Sequence, residues 1–397
     1  MMSKLGELGM TRVAVIGYGL QIKRLLGIMK QQDDSCAIVA IADIRSEAIR
    51  SEMIAEGADV SGIQFYADAD EMLEHGPYDG VCIGTRCSLH TEMAVKVLAK
   101  GWPLYVEKPI ATTMDDLIRL RDAYERSAKP PVVVSFPLRV TPHVQLVKSI
   151  IDSGKIGTVE HVQAVNNVTY GGVYYHYWYR DEQETQGMFL QKATHDLDYI
   201  GYVLGTNPRQ VCAMTSKRIF KGNKPAGLKC KDCEDQDTCQ ESPQNLRKAG
   251  EVPIGDYCCF AVDTGNEDSG SVIIQYESGM HVNYSQNFFV RKKAGARGAR
   301  FMGYKGTVEF DWHSSDVKVY MHHTPIVETH SIDLAAFSGG HGGGDDALIG
   351  NFIDIMKGRT ADSISPLDSG LLSALICLKA KASAETGSFQ AVRWPDR

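Results

Sequence analysis

The sequence predicts an α/β protein of two domains: an N-terminal doubly wound parallel sheet, and a larger α+β domain with an open, mostly antiparallel sheet. Three observations support this prediction. Strand and helix patterns alternate up to about Phe136, a series of long strands follows, and a glycine-rich turn joins the first strand to the first helix. We therefore place the domains at residues 10–137 and 138–397, and the last helices of the second could pack back on the first.

The first domain is predicted from short apolar runs that alternate with helical periodicity. The predicted strands are 13–16, 36–42, 81–85, 104–106 and 132–136, and the predicted helices are 20–32, 46–56, 90–100 and 114–126. Alternating elements of this kind build a parallel sheet that binds its ligands at the carboxyl ends of the strands.

The second domain begins with a helix, 144–153, that ends at Gly154, and strands dominate after it. Glu277-Ser278-Gly279 and Lys305-Gly306 are typical of hairpin turns. The predicted strands are 159–168, 211–218, 270–276, 280–288, 301–304, 307–310 and 317–322, and the predicted closing helices are 346–357 and 367–385. One face of this sheet is expected to lie on its own helices, and the other against the first domain, a substrate or another subunit.

Composition excludes several classes of partner. The chain has 397 residues and a formal net charge of −7, so it lacks the basic surface of a nucleic-acid-binding protein. No apolar run is long enough to span a membrane, and residues 1–10 lack the apolar core of a signal peptide. We expect a cytoplasmic protein without a membrane partner, whose ten cysteines are mostly reduced.

The turn Gly17-Tyr18-Gly19 predicts a dinucleotide site. Its backbone N–H groups, together with those of Leu20 and Gln21 at the start of the helix, could bind a pyrophosphate. The third glycine of the usual pattern is replaced by Ile22, so we expect the helix to approach its strand slightly less closely. The alternative is a structural turn that binds no ligand.

An acidic residue follows the second predicted strand. Asp43 can bind both ribose hydroxyls of NAD and repels a 2′-phosphate, which favours NAD as the cofactor. Ile44 and Arg45 come next and are expected to line the same site. Because Arg45 could accommodate a 2′-phosphate, the sequence leaves NADP open.

Two further clusters follow predicted strands. Thr85 is followed by His90, and Glu107-Lys108-Pro109 comes directly after strand 104–106. A lysine beside a positively charged nicotinamide would have its charged form disfavoured, which suits an acid/base role for Lys108. The alternative is a surface lysine that pairs with Glu107.

A second chemical signal lies in the predicted helix 187–205. Leu197, Ile200 and Leu204 fall on one side of a helical wheel. The other side carries Gln191, His195, Asp198 and Tyr199, with Lys192 at its edge. This face could form the wall of a site, and the alternative is an ordinary amphipathic helix with a solvated face.

Two other stretches supply candidate substrate residues. The aromatic run 170–180 includes Tyr174 and Trp178, which could stack on sugar rings or could pack in the core and at interfaces. The run His341-Gly-Gly-Gly-Asp345 precedes a helix and could bring His341 or Asp345 to the pocket, or it could be a connector.

A cysteine-rich loop predicts a metal site. Cys230 and Cys233 have the spacing of half a structural zinc site, and Cys239 and Cys258 could complete it. Disulfides and reduced thiols remain the alternatives.

Taken together, these residues resemble the Gfo/Idh/MocA family of glucose-fructose oxidoreductase, inositol dehydrogenase and their relatives. The resemblance covers nearly the whole chain. It is carried by the Gly17 turn, His90, Glu107-Lys108-Pro109, Arg139 with Pro142, Gly154-Lys-Ile-Gly157, Thr194-His195-Asp196 and Asn351-Phe352.

The resemblance implies an N-terminal Rossmann domain and NAD(P)-linked oxidation or reduction of a sugar, cyclitol or similar polyol. It implies that Lys108 takes the hydroxyl proton with the aid of His195 while a hydride passes to the nicotinamide. It also implies a homodimer or homotetramer. Arg139, Tyr174, Trp178, Asp198 and His341 are the candidate substrate-binding residues.

One departure from the family leaves the chemistry open. Many relatives carry Asp four residues before the site histidine, whereas this chain has Gln191 followed by Lys192, which could replace the missing acid or bind a substrate carboxylate. Two alternatives to a dehydrogenase follow. One is a glycosidase or lyase that uses NAD with no net redox change, and the other is a non-catalytic NAD-binding subunit.

Overall fold

A computed structural model of the chain describes residues 9–333 and 340–395. Contacts divide the chain into a first unit, residues 1–141 with 337–374, and a second unit, residues 142–336 with 375–397. Helix α12 (Leu367–Thr386) contributes residues to both units. None of the described helices is both long enough and apolar enough to cross a membrane.

The first unit contains a six-stranded parallel sheet in the order β3-β2-β1-β4-β5-β6. Its strands are β1 (Thr11–Ile16), β2 (Cys36–Ala42), β3 (Gln64–Tyr66), β4 (Gly80–Ile83), β5 (Leu104–Val106) and β6 (Val132–Val134). Its helices are α1 (Leu20–Gln32), α2 (Ser46–Ala55), α3 (Ala69–Glu74), α4 (His90–Lys100), α5 (Met114–Arg126) and α11 (Gly344–Met356). The strand order reverses between β1 and β4, which is where doubly wound sheets bind ligands.

The core of this sheet is built from the apolar runs that predicted its strands. Val13 and Val15 of β1 are fully buried, and they share one cluster with Leu348 and Phe352 of α11. The Phe352 ring lies 5.7 Å from the ring of Tyr105 in an edge-to-face arrangement. Helix α11 therefore packs on the sheet of the first unit and contributes to its core, although it lies far along the chain.

Ile22, which replaces the expected glycine in α1, is accommodated by a glycine elsewhere. The side chain of Ile22 is buried, and a Cβ built on Gly84 would lie 1.9 Å from its Cγ1 atom. Gly84 directly follows β4, so the close approach of α1 to the sheet depends on the absence of a side chain at Gly84 rather than at position 22.

The second unit contains a sheet of nine described strands in the order β14-β13-β12-β11-β7-β10-β9-β8-β15. The strands are β7 (Val159–Asn167), β8 (Pro208–Ser216), β9 (Ser269–Tyr276), β10 (His281–Asn287), β11 (Ala296–Gly303), β12 (Gly306–Asp311), β13 (Asp316–Met321), β14 (Val327–Ser331) and β15 (Gln390–Ala391). Its other helices are α6 (Pro142–Asp152), α7 (Val173–His176), α8 (Glu182–Thr185), α9 (Thr194–Leu204) and α10 (Pro243–Lys248).

This sheet is antiparallel except between β7 and β10, which run parallel. The buried face of its centre changes from apolar to polar along the strands. At one end Phe301 and Val282 flank Val162, and at the other Arg297 and Gln286 flank Asn166. The strand alternation thus places a polar row at one end of an otherwise apolar face.

The two sheets confirm the predicted fold class. The predicted second domain lacked β14 and β15, and it contained only the second half of β11. In the first unit, β3 and α3 were not predicted. β3 (Gln64-Phe65-Tyr66) lacks the fully buried apolar run that predicted the equally short β5 and β6, and α3 has only six residues.

The predicted helix 187–205 is interrupted by a π-helical turn at Phe189–Ala193, after which α9 begins at Thr194. A π turn changes the phase of the helix, so a uniform wheel misplaces Gln191 and Lys192 relative to the residues of α9. Within α9, Tyr199 follows His195 by four residues, and it packs its ring 5.0 Å from the Trp312 ring, over the sheet.

We expect Gly84→Ala to lower the free energy of unfolding by about 1–3 kcal/mol, because the new methyl group overlaps Ile22. Ile22→Ala should lower the free energy of unfolding less in the Gly84→Ala background than in the wild type, because the shortened side chain no longer overlaps the new methyl group. Gly27→Ala in α1 is the control, because its added Cβ meets no heavy atom within 4 Å. Denaturant unfolding of the four variants measures the coupling, and strictly additive effects of Gly84→Ala and Ile22→Ala would contradict this account.

Candidate active site

The glycine-rich turn leaves backbone donors available at the start of α1. Gly17 has φ +81°, and a Cβ there would lie 2.7 Å from the backbone nitrogen of Thr85. Gly19 occupies the N-cap of α1 without a side-chain cap, and the first turn of the helix contains no acidic residue. The first N–H groups of a helix have no partner within the helix, so Leu20 and Gln21 present donors suited to an anion.

Asp43 lies directly against this turn. One carboxylate oxygen accepts a hydrogen bond from the backbone N–H of Tyr18 at 2.9 Å, and the other accepts from the backbone N–H of Arg45 at 2.8 Å. Ile44 is 92 % exposed beside it, and the guanidinium of Arg45 lies 3.7 Å from Glu52. The structure thus brings together the acidic residue and the glycine turn, as the dinucleotide prediction requires.

His90 links the ends of β4 and β5. Its ring nitrogens lie 2.7 Å from the carbonyl oxygen of Pro109 and 3.2 Å from that of Thr85. Burial lowers the pKa of His90 to about 4, so the ring is neutral at pH 7. A neutral imidazole has one N–H, which we assign to the shorter contact, with Pro109, so His90 positions that loop rather than serving as a proton donor in the reaction.

Glu107 is a buried carboxyl at the end of β5. It accepts a hydrogen bond from the hydroxyl of Ser135 at 3.2 Å. Burial raises the pKa of Glu107 to about 7, while the neighbouring Lys108 opposes this shift. Lys108 itself is partly exposed and forms a cis peptide bond with Pro109.

Two further predicted residues lie in the first unit. Arg139 is buried, and its Nη1 atom lies 3.5 Å from the carbonyl oxygen of Ile364. His341 lies 2.8 Å from the carboxylate of Asp345, which also forms a 2.6 Å ion pair with Arg24 of α1. These contacts bring His341 and Asp345 to the same helix that follows the glycine turn.

The candidates of the predicted site helix are all buried in the second unit. Gln191, Lys192, His195 and Asp198 are each at most 5 % exposed. Gln191 and Lys192 belong to the π-helical turn, whereas His195 and Asp198 belong to α9. A solvated polar face is therefore excluded for these four residues.

Asp196, the neighbour of His195, connects α9 to the polar row of the sheet. Its carboxylate accepts hydrogen bonds from Asn166 at 2.8 Å and from the Tyr284 hydroxyl at 3.0 Å, and it pairs with Arg297 at 2.9 Å. Sequence reasoning cited Asp196 only as part of the family motif and missed Arg297 entirely, because the partners lie on three separate strands. The network orients the helix that carries His195.

The two aromatic candidates make different contacts. Tyr174 is buried in an apolar cluster, where its ring lies 5.4 Å from that of Phe288. Trp178 stacks on Tyr179 at 3.9 Å. The interpretation as core packing therefore describes Tyr174 in this structure.

The predicted zinc site is not supported. Among the described residues, the sulfur atoms of Cys230, Cys233, Cys239 and Cys258 supply no group of three ligand atoms within 4.8 Å of one another. Cys230 lies in a single 3₁₀ turn, and its thiol contacts the carbonyl oxygen of Tyr257 at 3.7 Å. The C-x-x-C spacing here belongs to a short turn, and all ten cysteines are free thiols.

One other group has ligand-like spacing: His176, Glu241 and Cys259, within 4.8 Å of one another. Both carboxylate oxygens of Glu241 are bound by Arg291, at 3.0 and 2.9 Å. The Arg291 guanidinium already neutralises the Glu241 carboxylate, so the cluster needs no metal ion to balance that charge. We therefore interpret this group as a structural polar cluster.

We expect the stability of the protein to fall between pH 4.5 and about 7 because of Glu107. Its pKa is raised from 4.5 to about 7 on folding, so the unfolded chain releases a proton in this range that the folded chain keeps. Glu107→Gln should remove up to about 3 kcal/mol of this pH dependence. Denaturant unfolding at both ends of this pH range measures the effect, and the exposed Asp34→Asn is the control. If the free energies of unfolding of wild type and Glu107→Gln differ by the same amount at both pH values, Glu107 is already ionised in the folded protein over the whole range.

Two family models match the chain. The model of the oxidoreductase family with an NAD-binding Rossmann fold matches residues 11–136, and the model of the Gfo/Idh/MocA C-terminal domain matches residues 144–309. The Bacillus subtilis (strain 168) protein YteT is 26 % identical over 353 residues, which cover 76 % of this chain and 80 % of YteT. Inositol 2-dehydrogenase 2 of Saccharopolyspora erythraea is 24 % identical over 206 residues, covering 52 % of this chain and 57 % of that protein.

Solved structures show the same fold. An oxidoreductase domain protein from Kribbella flavida has a TM-score of 0.76 at 16 % identity, covering 98 % of this chain and 100 % of its own. Levoglucosan dehydrogenase, solved with NADH and levoglucosan, has a TM-score of 0.73 at 19 % identity, covering 96 % and 99 %. The resemblance found in the sequence is confirmed: this chain belongs to the Gfo/Idh/MocA family of oxidoreductases.

Proposed function

We propose that this protein is an NAD-dependent oxidoreductase that transfers a hydride between the nicotinamide and a hydroxyl-bearing carbon of a sugar, cyclitol or sugar derivative. The observation that carries the proposal is the arrangement around Asp43. Its carboxylate is held by the backbone N–H of Tyr18, inside the turn whose glycines leave the start of α1 uncapped. The inositol dehydrogenases among the relatives support the class of substrate.

The residues of the first unit fit a dinucleotide. Gly17 has no room for a side chain against Thr85, and the backbone donors at Leu20 and Gln21 would hold the pyrophosphate. Asp43 would accept hydrogen bonds from the ribose hydroxyls, and the exposed Ile44 would cover the adenosine part. The bound nicotinamide would supply the hydride acceptor or donor.

Proton handling falls to Lys108 with His195, the two residues that match the family motifs. During oxidation Lys108 takes the proton of the reacting hydroxyl at Nζ, and during reduction it returns that proton. His90 holds the loop that carries Lys108 through its 2.7 Å contact with Pro109. Because the pKa of the buried Glu107 is raised to about 7, this carboxyl is mostly protonated below that pH. It therefore places no full negative charge beside the Lys108 side chain.

We expect wild-type protein to form NADH with at least one member of a panel of sugars, cyclitols and sugar acids. Lys108→Ala should lower kcat by about a hundredfold to ten-thousandfold, the range of a general acid or base. Lys129→Ala, which removes a surface lysine paired with Glu125 at 2.7 Å, is the control. The absorbance of NADH in the near ultraviolet gives the rates.

Other outcomes of this assay select between the alternatives. Consumption of a glycoside without net NADH would favour a glycosidase or lyase that uses NAD transiently. If NAD binds but Lys108→Ala retains the full biological activity of the wild type, a non-catalytic subunit is favoured.

We also expect Asp43 to set the choice of cofactor. Asp43→Asn should weaken NAD binding about tenfold or more, because the ribose hydroxyls lose a charged acceptor, and it should improve NADP relative to NAD. Asp34→Asn removes an exposed charge near β2 and serves as the control. Calorimetric titration with NAD and with NADP measures the ratio of the two affinities. An unchanged ratio would mean that residues other than Asp43 determine the choice of cofactor.

A further inference from the structure

The second unit buries a lysine that has no counter-charge of its own. Lys192 is 4 % exposed, and its ammonium donates a hydrogen bond to the hydroxyl of Tyr170 and lies 4.8 Å from the centre of that ring. Among the described residues, no carboxylate lies within ion-pair distance of Lys192. Burial lowers the pKa of Lys192, which reflects the cost of holding this charge away from water.

Lys192 has no carboxylate partner among the described residues, although Asp196 acts on it electrostatically. Besides burial, Arg297 lowers the pKa of Lys192, whereas the Tyr170 phenol and Asp196 raise it. Asp196 is already paired with Arg297 at 2.9 Å and accepts two further hydrogen bonds from Asn166 and Tyr284 of the sheet. The hydrogen-bond partner of the Lys192 ammonium is therefore the Tyr170 hydroxyl rather than a carboxylate.

The polar groups around Lys192 also lack acceptors. The Tyr170 hydroxyl accepts from Lys192 and donates to no described residue. The Nη2 atom of Arg297, which acts electrostatically on Lys192, is a buried donor without a hydrogen-bond partner in the described chain. A ligand that satisfied this site would carry acceptors and a single negative charge.

Tyr170 as a residue is 57 % exposed, whereas Lys192 is buried. The Tyr170 hydroxyl itself lies in the buried part of the side chain, against the Lys192 ammonium. A hydroxyl is a weak partner for a buried ammonium, and a carboxylate oxygen in hydrogen-bond contact is a stronger one. A carboxylate that reaches Lys192 would therefore supply the acceptor that this site lacks.

We propose that Lys192, assisted by the Tyr170 hydroxyl, binds a carboxylate of the substrate, so that the protein acts on sugar acids in preference to neutral sugars. This inference rests on the proposed function, because it names the substrate class of that same site. A single buried ammonium, whose hydrogen-bond partner is a hydroxyl, matches the single charge of a carboxylate. A phosphate ester, which carries more charge, is the competing source of an anion.

The test compares acids with their neutral counterparts by direct binding. D-Glucuronate with D-glucose, and D-galacturonate with D-galactose, are pairs that exchange a carboxylate for a hydroxymethyl group. Calorimetric titration is carried out with and without NADH, so that no turnover accompanies binding. We expect wild-type protein to bind at least one acid about tenfold or more tightly than its neutral partner.

Variants of the pair assign the effect to Lys192. Lys192→Met keeps the length of the side chain and should weaken binding of that acid about tenfold or more. Tyr170→Phe should keep it within about threefold, because the ammonium remains. Lys148→Met is the matched control, since Lys148 also lies over a tyrosine ring, that of Tyr202 at 5.4 Å, but on the surface.

Several results would overturn the inference. These are equal affinity of wild-type protein for acid and neutral partner, an unchanged affinity in folded Lys192→Met, or tighter Lys192-dependent binding of D-glucose 6-phosphate. The comparison of acid with neutral sugar needs no variant, so it decides the matter even if Lys192→Met does not fold.

The binding test is separable from the proposed function. If neutral polyols give NADH but the acids neither bind nor react, the oxidoreductase proposal stands and the assignment to sugar acids fails. If the acids bind through Lys192 but no substrate gives NADH, the binding site stands and the proposed reaction fails.

Discussion

The contact between Ile22 and the backbone at Gly84 is the constraint on which the first unit depends. It sets how closely α1 approaches the end of β4, and with it the position of the glycine turn that precedes α1. The same turn touches Thr85 and holds Asp43 through Tyr18. Because interiors are close-packed, a shift of α1 by a fraction of an ångström would be felt along this whole set of contacts.

In the second unit, the comparable constraint is electrostatic. A buried carboxylate is tolerated only when its charge is paired and its oxygens are hydrogen-bonded, and Asp196 meets both conditions through Arg297, Asn166 and Tyr284. These partners come from β11, β7 and β10, so α9 can dock in one register over the sheet. The position of His195 follows from that register rather than from any contact seen in the local sequence.

The sequence predicted the features that depend on local pattern. The buried runs located five of the six strands of the first sheet, and the predicted glycine turn and Asp43 lie in contact in the structure. It could not predict features that depend on partners far along the chain. Position 22 indicated a missing glycine but not that Gly84 provides the space, and a uniform helical wheel did not show the change of phase at Phe189–Ala193 between Gln191 and His195. The cysteine spacing matched a zinc pattern, although no three of those thiols, all in the described part of the chain, come within 4.8 Å of one another.

The cysteine-containing segment, residues 217–268, leaves the sheet at Ser216 and returns at Ser269, two residues that are paired across β8 and β9. Its ends are therefore already joined, and changes in its length leave the strand register intact. The segment also contacts the chain around α7. Its Asp263 forms an ion pair with Arg180, and its Glu241 contacts His176. The two stretches are therefore held to each other as well as to the sheet, so a change in the length of segment 217–268 that preserves these two contacts leaves both the sheet and the chain around α7 in place.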